Sequence, residues 1–532
     1  MCPATDDNAA QGDLDQPECS GYLLTVRKED FMKKPAFNPY LPEYEYVPDG
    51  EPHLFDGRVY VYGSHDRAFG EKYCEDDYVV WSAPEDDLSD WRFEGVSYRR
   101  TQDPSNANDE YQLWAPDVTR GPDGKYYLYY CLSFYHEIGV AVSGSPAGPF
   151  EFYGHVKYPA SIRGGAVLRE HMPFDPAVLT DDDGRVYLYY GFAPAKGKEM
   201  SVPDPEGLDI PEEEKRRLRK IAERFAGEQF SEYSMVAELE ADMLTLKEEP
   251  RELIPGGHHE DGTDFEGHGF FEASSIRKVG ERYYFVYSSH LSHELCYAVS
   301  DKPDRDFAFG GTLVSNGDIG LDGRTEPVNV LGNNHGGMVR ANGNWYIFYH
   351  RQTHGTEFSR QGCAERLEIL PDGSIEQVEI TSCGLNGGPL PAAGEYPAYI
   401  ACHITDPTTR SSIDYGSPVM REQTRITSVP GGKKQYVTGI RDGSAVGFKY
   451  FDFRGVTALT LSLRGSFDGT VSVCGDAEGQ EEFGRAALAG QAGPELSVPL
   501  NVPDGVHALY LRFRGSGSLE LDSLRFSARE QK

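Results

Sequence analysis

One phrase recurs five times in this chain: a glycine turn, then a strand dominated by aromatic and β-branched residues. It reads DGRVYVYGS at 56–64, DGKYYLYYC at 123–131, DGRVYLYYG at 183–191, GERYYFVYSS at 280–289 and NGNWYIFYH at 342–350. Asp-Gly or Asn-Gly ahead of such a run signals a hairpin, because the turn needs positive φ and the run fits a pleated surface. A further strand-like segment follows each copy: VVWSAPEDDLSDWRFEG, VAVSGSPAGPFEFYG, MVAELEADMLTLKEEP, YAVSDKPDRDFAFGG and RLEILPDGSIEQVEI. The turn glycines Gly57, Gly124, Gly184, Gly280 and Gly343 lie 67, 60, 96 and 63 residues apart. Five antiparallel units of about four strands at this spacing predict a five-bladed β-propeller. A sandwich whose hairpins share a sequence is the alternative.

The long interval holds DPEGLDIPEEEKRRLRKIAERFAGEQF, which reads as a charged helical insertion at about 200–230 with a solvated face. After the Pro/Gly-rich stretch GLNGGPLPAAGEYP the aromatic phrase stops. Short alternating strands follow, among them GSAVGFKYFDF, ALTLSLRG and HALYLRFRG, the pattern of a β-sandwich. The fold class is therefore all-β. An N-terminal extension (1–36) precedes a propeller over 37–390, and a β-sandwich of jelly-roll type occupies 391–532.

Charge and cysteines narrow the partners. Asp plus Glu exceed Lys plus Arg by 85 − 51 = 34, a field that repels phosphate backbones and argues against nucleic acid. No run of about 18 apolar residues is present, so no membrane span is expected. Nine scattered cysteines without a CxxC pair suggest neither a zinc site nor a disulfide framework. The opening residues lack the features of a secretory leader, so the protein is expected in the cytoplasm with reduced thiols.

The residues just ahead of the inner strands carry the chemistry. Asp49 and Glu51 precede the first phrase in VPDGEPHLF, Asp175 the third in MPFDPAVLTDDDG, and Glu272 the fourth in HGFFEASSIRK. Each carboxylate sits among apolar neighbours, where burial is costly unless pairing or function requires it. In a propeller such positions converge on one funnel, so three in corresponding places point to a shared site.

These segments together resemble glycoside hydrolase family 43, five-bladed propellers with an Asp, Asp, Glu triad. PDGEPHLFDGRVYVYGSHD, WAPDV (114–118), FDPAVLTDDDGRVYLYYG, FFEASSIRKVGERYYFVYSS and GNNHGGMVRANGNWYIFYH resemble its successive blade motifs in order. The resemblance implies Asp49 as general base, Asp175 as the residue that tunes the acid, and Glu272 as general acid. Counting back from the Phe-Asp-Gly turn favours Asp49 as base, while aligning on the carboxylate–Pro step favours Glu51. It also implies substrate contacts from Trp114 and Arg360, and a structural calcium ion on the axis beside His335; the chemistry itself needs no cofactor.

The C-terminal strands resemble a family 6 carbohydrate-binding module. All four tryptophans lie in the propeller, so a packing role is expected over polysaccharide binding. The implied enzyme is an exo-acting, inverting glycosidase that removes terminal α-L-arabinofuranose or β-D-xylose from plant-derived oligosaccharides. β-Galactosidic or galactofuranosidic substrates, or a non-catalytic sugar-binding propeller, are the alternatives.

Overall fold

The computed structural model of the chain describes residues 35–194, 230–408, 422–490 and 493–529, with a few isolated positions between 206 and 219. Residues 1–34 of the N-terminal extension, and the charged helix expected at about 200–230 apart from those positions, lie outside the described residues.

Five antiparallel sheets follow one another along the chain. The first is β1 (Glu51–Phe55), β2 (Arg58–Tyr62), β3 (Tyr78–Pro84) and β4 (Arg92–Tyr98). The second is β5 (Leu113–Arg120), β6 (Tyr126–Leu132), β7 (Tyr135–Ser143) and β8 (Glu151–His155). The third is β9 (Ala177–Thr180), β10 (Val186–Tyr190), β11 (Tyr233–Leu239) and β12 (Arg251–Pro255). The fourth is β13 (Phe270–Val279), β14 (Arg282–Ser289), β15 (Glu294–Ser300) and β16 (Ala308–Ser315). The fifth has three strands, β17 (Met338–Ala341), β18 (Asn344–Gln352) and β19 (Arg360–Leu367). The expected glycine turns join the first two strands of each sheet. At Asp56–Gly57 and Asn342–Gly343 both central residues have positive φ (48° and 77°, 48° and 75°), the two-residue turn whose twist matches its strands.

Five apolar layers close the sheets into a ring, and this makes the molecule a five-bladed propeller. Tyr62 and Tyr98 pack on Val118 and Leu128 between the first two blades. Tyr129 meets Leu188 and Tyr190 in the next layer, and Tyr189 meets Phe285 and Tyr287 in the third. Val286 and Tyr297 meet Ile347 and Tyr349, and Phe348 and Ala364 return to Val59 and Trp81 of the first blade. Blade strands are covered on both faces, which explains why their sequences are apolar almost throughout.

The fifth blade lacks a fourth strand because its outer edge is already occupied. Asn38 from the leading segment accepts from Ala364 N at 2.9 Å and donates to Ala364 O at 3.0 Å, capping β19. The segment expected to extend this blade turns at Asp372–Gly373 onto the fourth, where Val378 N donates to Leu313 O.

The C-terminal strands, from Leu390–Pro391 to Gly505–Ala528, form one ten-stranded hydrogen-bonded network with its own apolar core. Its longest members, Val456–Cys474 and Gly505–Ala528, pair along nearly their whole length. Polar contacts dock it on the propeller: Arg351 donates to Tyr399 O and Ala401 O, and His403 pairs with Asp318 at 2.8 Å.

Candidate active site

Three of the four carboxylates named from sequence sit at bent backbone. Asp49, just before β1, has φ 55°; Asp175, in its Asp-Pro step before β9, has φ 44°. Glu272 lies in β13 where the pairing slips on either side of it, and the next residue, Ala273, has φ 67°. Such bulges re-aim a side chain, and non-glycine residues at positive φ collect where a site needs them. Ala273 N donates to Asp175 Oδ2 at 3.1 Å, so the same bulge ties the third and fourth blades at their carboxylates.

The carboxyls are driven apart in acidity. Burial alone would raise Asp49, but the Arg360 guanidinium at 2.9 Å holds it below the usual carboxylate value. Arg360 is 2% exposed. Asp66 fixes it from the other side at 2.8 Å, and it lies over the Tyr73 ring at 4.8 Å. Glu272 is pushed up to about 8, by burial first and by the charge of Asp49 second. Asp175 is raised well above its ordinary value by burial, Glu272 and Asp49. At neutral pH the set therefore holds Asp49 ionised and Glu272 protonated, the opposed states that acid/base chemistry requires.

Glu51 has a different setting. Burial pushes it up to about 8 against the pull of Arg277, whose guanidinium is 2.7 Å away; Ser275 Oγ donates to the same oxygen at 3.1 Å. Arg277, on the fourth blade, also donates to Met338 O of the fifth and Pro52 O of the first. His53 of the first blade pairs with Asp117 of the second at 2.6 Å, and Asp117 accepts from Val178 N of the third. Hydrogen bonds along the axis thus join all five blades. Sequence reasoning did not single out Arg277, Asp117, Asp66 or His350.

His335 stands between the carboxyls, Nδ1 3.5 Å from Asp175 and Nε2 3.9 Å from Glu51 Oε1. Burial lowers it to about 4, so the imidazole is neutral. Its Nε2 and Glu51 Oε1 are buried, and neither has a hydrogen-bond partner among the described residues. A neutral imidazole nitrogen facing an unpartnered carboxyl oxygen fits a hydrated hard cation as a donor set.

Trp114 is half-buried and begins an aromatic strip. It meets Phe134 at 5.0 Å and Phe174 at 5.3 Å; Phe174 meets Phe192, and Phe192 meets Phe271. Asp175 and Glu272 each directly follow a member of this strip, which accounts for part of their desolvation.

A profile of the glycosyl hydrolases family 43 matches residues 47–204 and 220–375. A xylosidase/arabinosidase of Thermoclostridium stercorarium is 46% identical over 500 residues, covering 92% of this chain and 99% of that protein. A xylosidase/arabinosidase of Bacteroides ovatus is 31% identical over 359 residues, covering 64% of this chain and 97% of that one. Among solved structures, a family 43 β-xylosidase/α-arabinofuranosidase from a compost microbial metagenome, in complex with xylotriose, has 28% identity and a TM-score of 0.47. The match covers 65% of this chain and 98% of that one.

Proposed function

The chain belongs to glycosyl hydrolases family 43 and is a glycoside hydrolase, and on that premise we propose that it is an exo-acting, inverting enzyme releasing terminal α-L-arabinofuranose or β-D-xylose from oligosaccharides. The observation that carries this reading is the opposed acidity of two buried carboxyls, Asp49 held ionised by Arg360 and Glu272 held protonated near 8. The names of the two curated relatives support xylose and arabinose as the sugars.

In this mechanism Glu272 gives its proton to the glycosidic oxygen as the bond to the anomeric carbon breaks. Asp49 takes a proton from the water that adds to the opposite face, so the product has inverted configuration. Asp175 accepts from Ala273 N, the residue after Glu272, and so fixes the bulge that aims Glu272. Asp49 suits the base role better than Glu51, because a general base must be ionised and Glu51 is pushed up to about 8. Trp114 offers a face of its ring to a sugar. Arg360 acts mainly through Asp49, since Asp49 and Asp66 take its donors.

A calcium ion would be held by His335 Nε2 and Glu51 Oε1 and would supply positive charge near the carboxyls without joining the proton transfers. We read the C-terminal unit as a β-sandwich like a family 6 carbohydrate-binding module, placed for packing. The seven described cysteines are free and buried, which supports a reducing, cytoplasmic setting.

The test is hydrolysis of aryl α-L-arabinofuranoside and β-D-xyloside, with the first-formed anomer read by proton NMR. Turnover by wild type with inversion, and none by Glu272→Ala, agrees with the proposal. Retention of configuration, or preference for a galactofuranoside in the same panel, overturns it.

A further inference from the structure

The loop between β18 and β19 runs from Thr353 to Ser359 and delivers Arg360 to Asp49. Its two ends are pinned together: Thr353 donates to Ser359 O from both its backbone N (3.1 Å) and its Oγ1 (2.7 Å). Ser359 Oγ in turn donates to Arg67 O at 2.8 Å and accepts from Gly70 N at 3.2 Å. Arg360 N then donates to Asp66, whose carboxylate also orients the guanidinium.

His354 joins this clasp to the C-terminal unit. Its backbone N donates to Ile426 O at 2.8 Å, and its Nε2 lies 3.2 Å from Ser428 Oγ and 3.3 Å from Tyr46 OH. Its Nδ1 lies 2.9 Å from Thr353 Oγ1. The directions of these bonds follow from the donors. Thr353 gives its hydroxyl proton to Ser359 O, so its oxygen accepts from His354 Nδ1–H, and Nε2 is left to accept from Ser428 and Tyr46. Gln435 Nε2, also from the C-terminal unit, donates to Tyr46 OH at 2.9 Å. Phe69 closes the ring's edge at 4.3 Å. His354, Thr353, Ser359 and Ser428 are all buried, so these bonds form out of contact with bulk solvent, where they are electrostatically stronger.

We propose that His354 is a positioning residue through which the C-terminal strand Arg425–Ser428 holds the Thr353–Ser359 clasp, and with it Arg360 and the base Asp49, in working geometry. This rests on the reading of Asp49 as base. It gives the C-terminal unit a part in catalysis without a sugar contact of its own. It also accounts for a histidine at φ 62°, a conformation that favours glycine and asparagine.

The test is a double-mutant cycle in the full chain. His354→Asn keeps a side chain tolerant of positive φ while removing the ring that spans Ser428 and Thr353. It is expected to lower kcat about tenfold, with KM for an aryl pentoside within about twofold, as a small misplacement of a catalytic group does. In an Arg360→Lys background the same substitution should cost less than about twofold, because the effect travels through Arg360. Ser428→Ala, which removes one hydroxyl and leaves the loop intact, should lower kcat in the same direction by about threefold. Equal losses in both backgrounds would mean a general structural role and would overturn the proposal, as would wild-type kcat in His354→Asn or Ser428→Ala. Asp49→Ala is run alongside. If Asp49→Ala retains turnover, the base assignment fails; if it is inactive while His354→Asn is fully active, only the positioning role fails.

Discussion

Arg360 and Arg277 both press a guanidinium against the start of the first blade, one on Asp49 and the other on Glu51, two residues further along. Their surroundings differ in one respect that decides what each pair can do. Arg360 has a second carboxylate, Asp66, bonded to its Nε and Nη2 as well as to its backbone N. Arg277 has Glu51 alone among carboxyls bonded to it, with three backbone carbonyls and, at 3.5 Å, His53 Nε2. Asp66 therefore anchors the arginine from its other side, and in the proposed base role Asp49 changes protonation without stranding a buried cation. Beside Arg277 a further carboxylate, Asp117, is bonded to His53 and Val178 N and not to the guanidinium, so Glu51 is its one bonded carboxyl.

The sharpest way to break this contrast is to remove each carboxylate and read activity. Asp49→Asn should lower kcat by about a thousandfold or more, toward the upper end of what a positioned base supplies. Glu51→Gln, which keeps shape and an acceptor for Arg277, should stay within about tenfold of wild type on that scale. If Glu51→Gln is the inactive variant and Asp49→Asn turns over, the two pairs have been assigned the wrong way round.

Stability should show the reverse order. Glu51→Ala removes the shared acceptor of Arg277 and Ser275 and leaves a hole between the blades, a loss of about 3 kcal/mol, the upper end for stranding a buried donor. Asp49→Ala leaves Arg360 on Asp66 and should cost clearly less. Urea unfolding of both variants measures the difference; equal midpoints would show that Asp66 is no reserve.

Some of this contrast was readable in the sequence and some was not. The five hairpin phrases and the carboxylates ahead of three of them were legible because glycine turns and strand alternation are local. The five interblade layers then follow from those strands. The register slips were not legible: the bulges beside Glu272 interrupt the pairing of its strand, and one strand's pattern does not reveal them. The three-stranded fifth blade was hidden for a related reason. RLEILPDGSIEQVEI has strand character, yet Asn38, more than three hundred residues away, already caps the β19 edge. His354 and Ser428 meet across 74 residues, and nothing local in either segment announces it.

The pH profile sharpens the comparison further, because Glu51 and Glu272 are both pushed to about 8 and only one is assigned to proton donation. A general acid must be protonated, so kcat/KM should fall as pH rises through about 8. Glu51→Gln should keep this basic limb. Glu272→Gln should lose it when assayed on a dinitrophenyl glycoside, whose leaving group departs without a proton. The stability sign runs the same way. Because the folded value of Glu272 lies above the ordinary value of 4.5, its contribution is complete below about 4.5 and is lost as pH rises through about 8. Glu272→Gln should therefore resist alkaline unfolding better than wild type, and an unchanged basic limb in that variant would remove Glu272 from the acid role.

The smallest effect lies in the hydroxyl that shares Glu51 with Arg277. Ser275 Oγ donates to the same Glu51 oxygen that Arg277 reaches, so Ser275→Ala deletes one bond while leaving the guanidinium in place. A loss of about 1 kcal/mol is expected in urea unfolding, the size of one ordinary intramolecular hydrogen bond. Because the axis is assigned to holding blades and the mouth to turnover, kcat should not move. A fall in kcat without a fall in stability would mean that the orientation of Glu51, and not only its presence, is transmitted to His335 and the carboxyls above it. The axis would then belong to the catalytic apparatus, and the division between the two arginines would be one of degree.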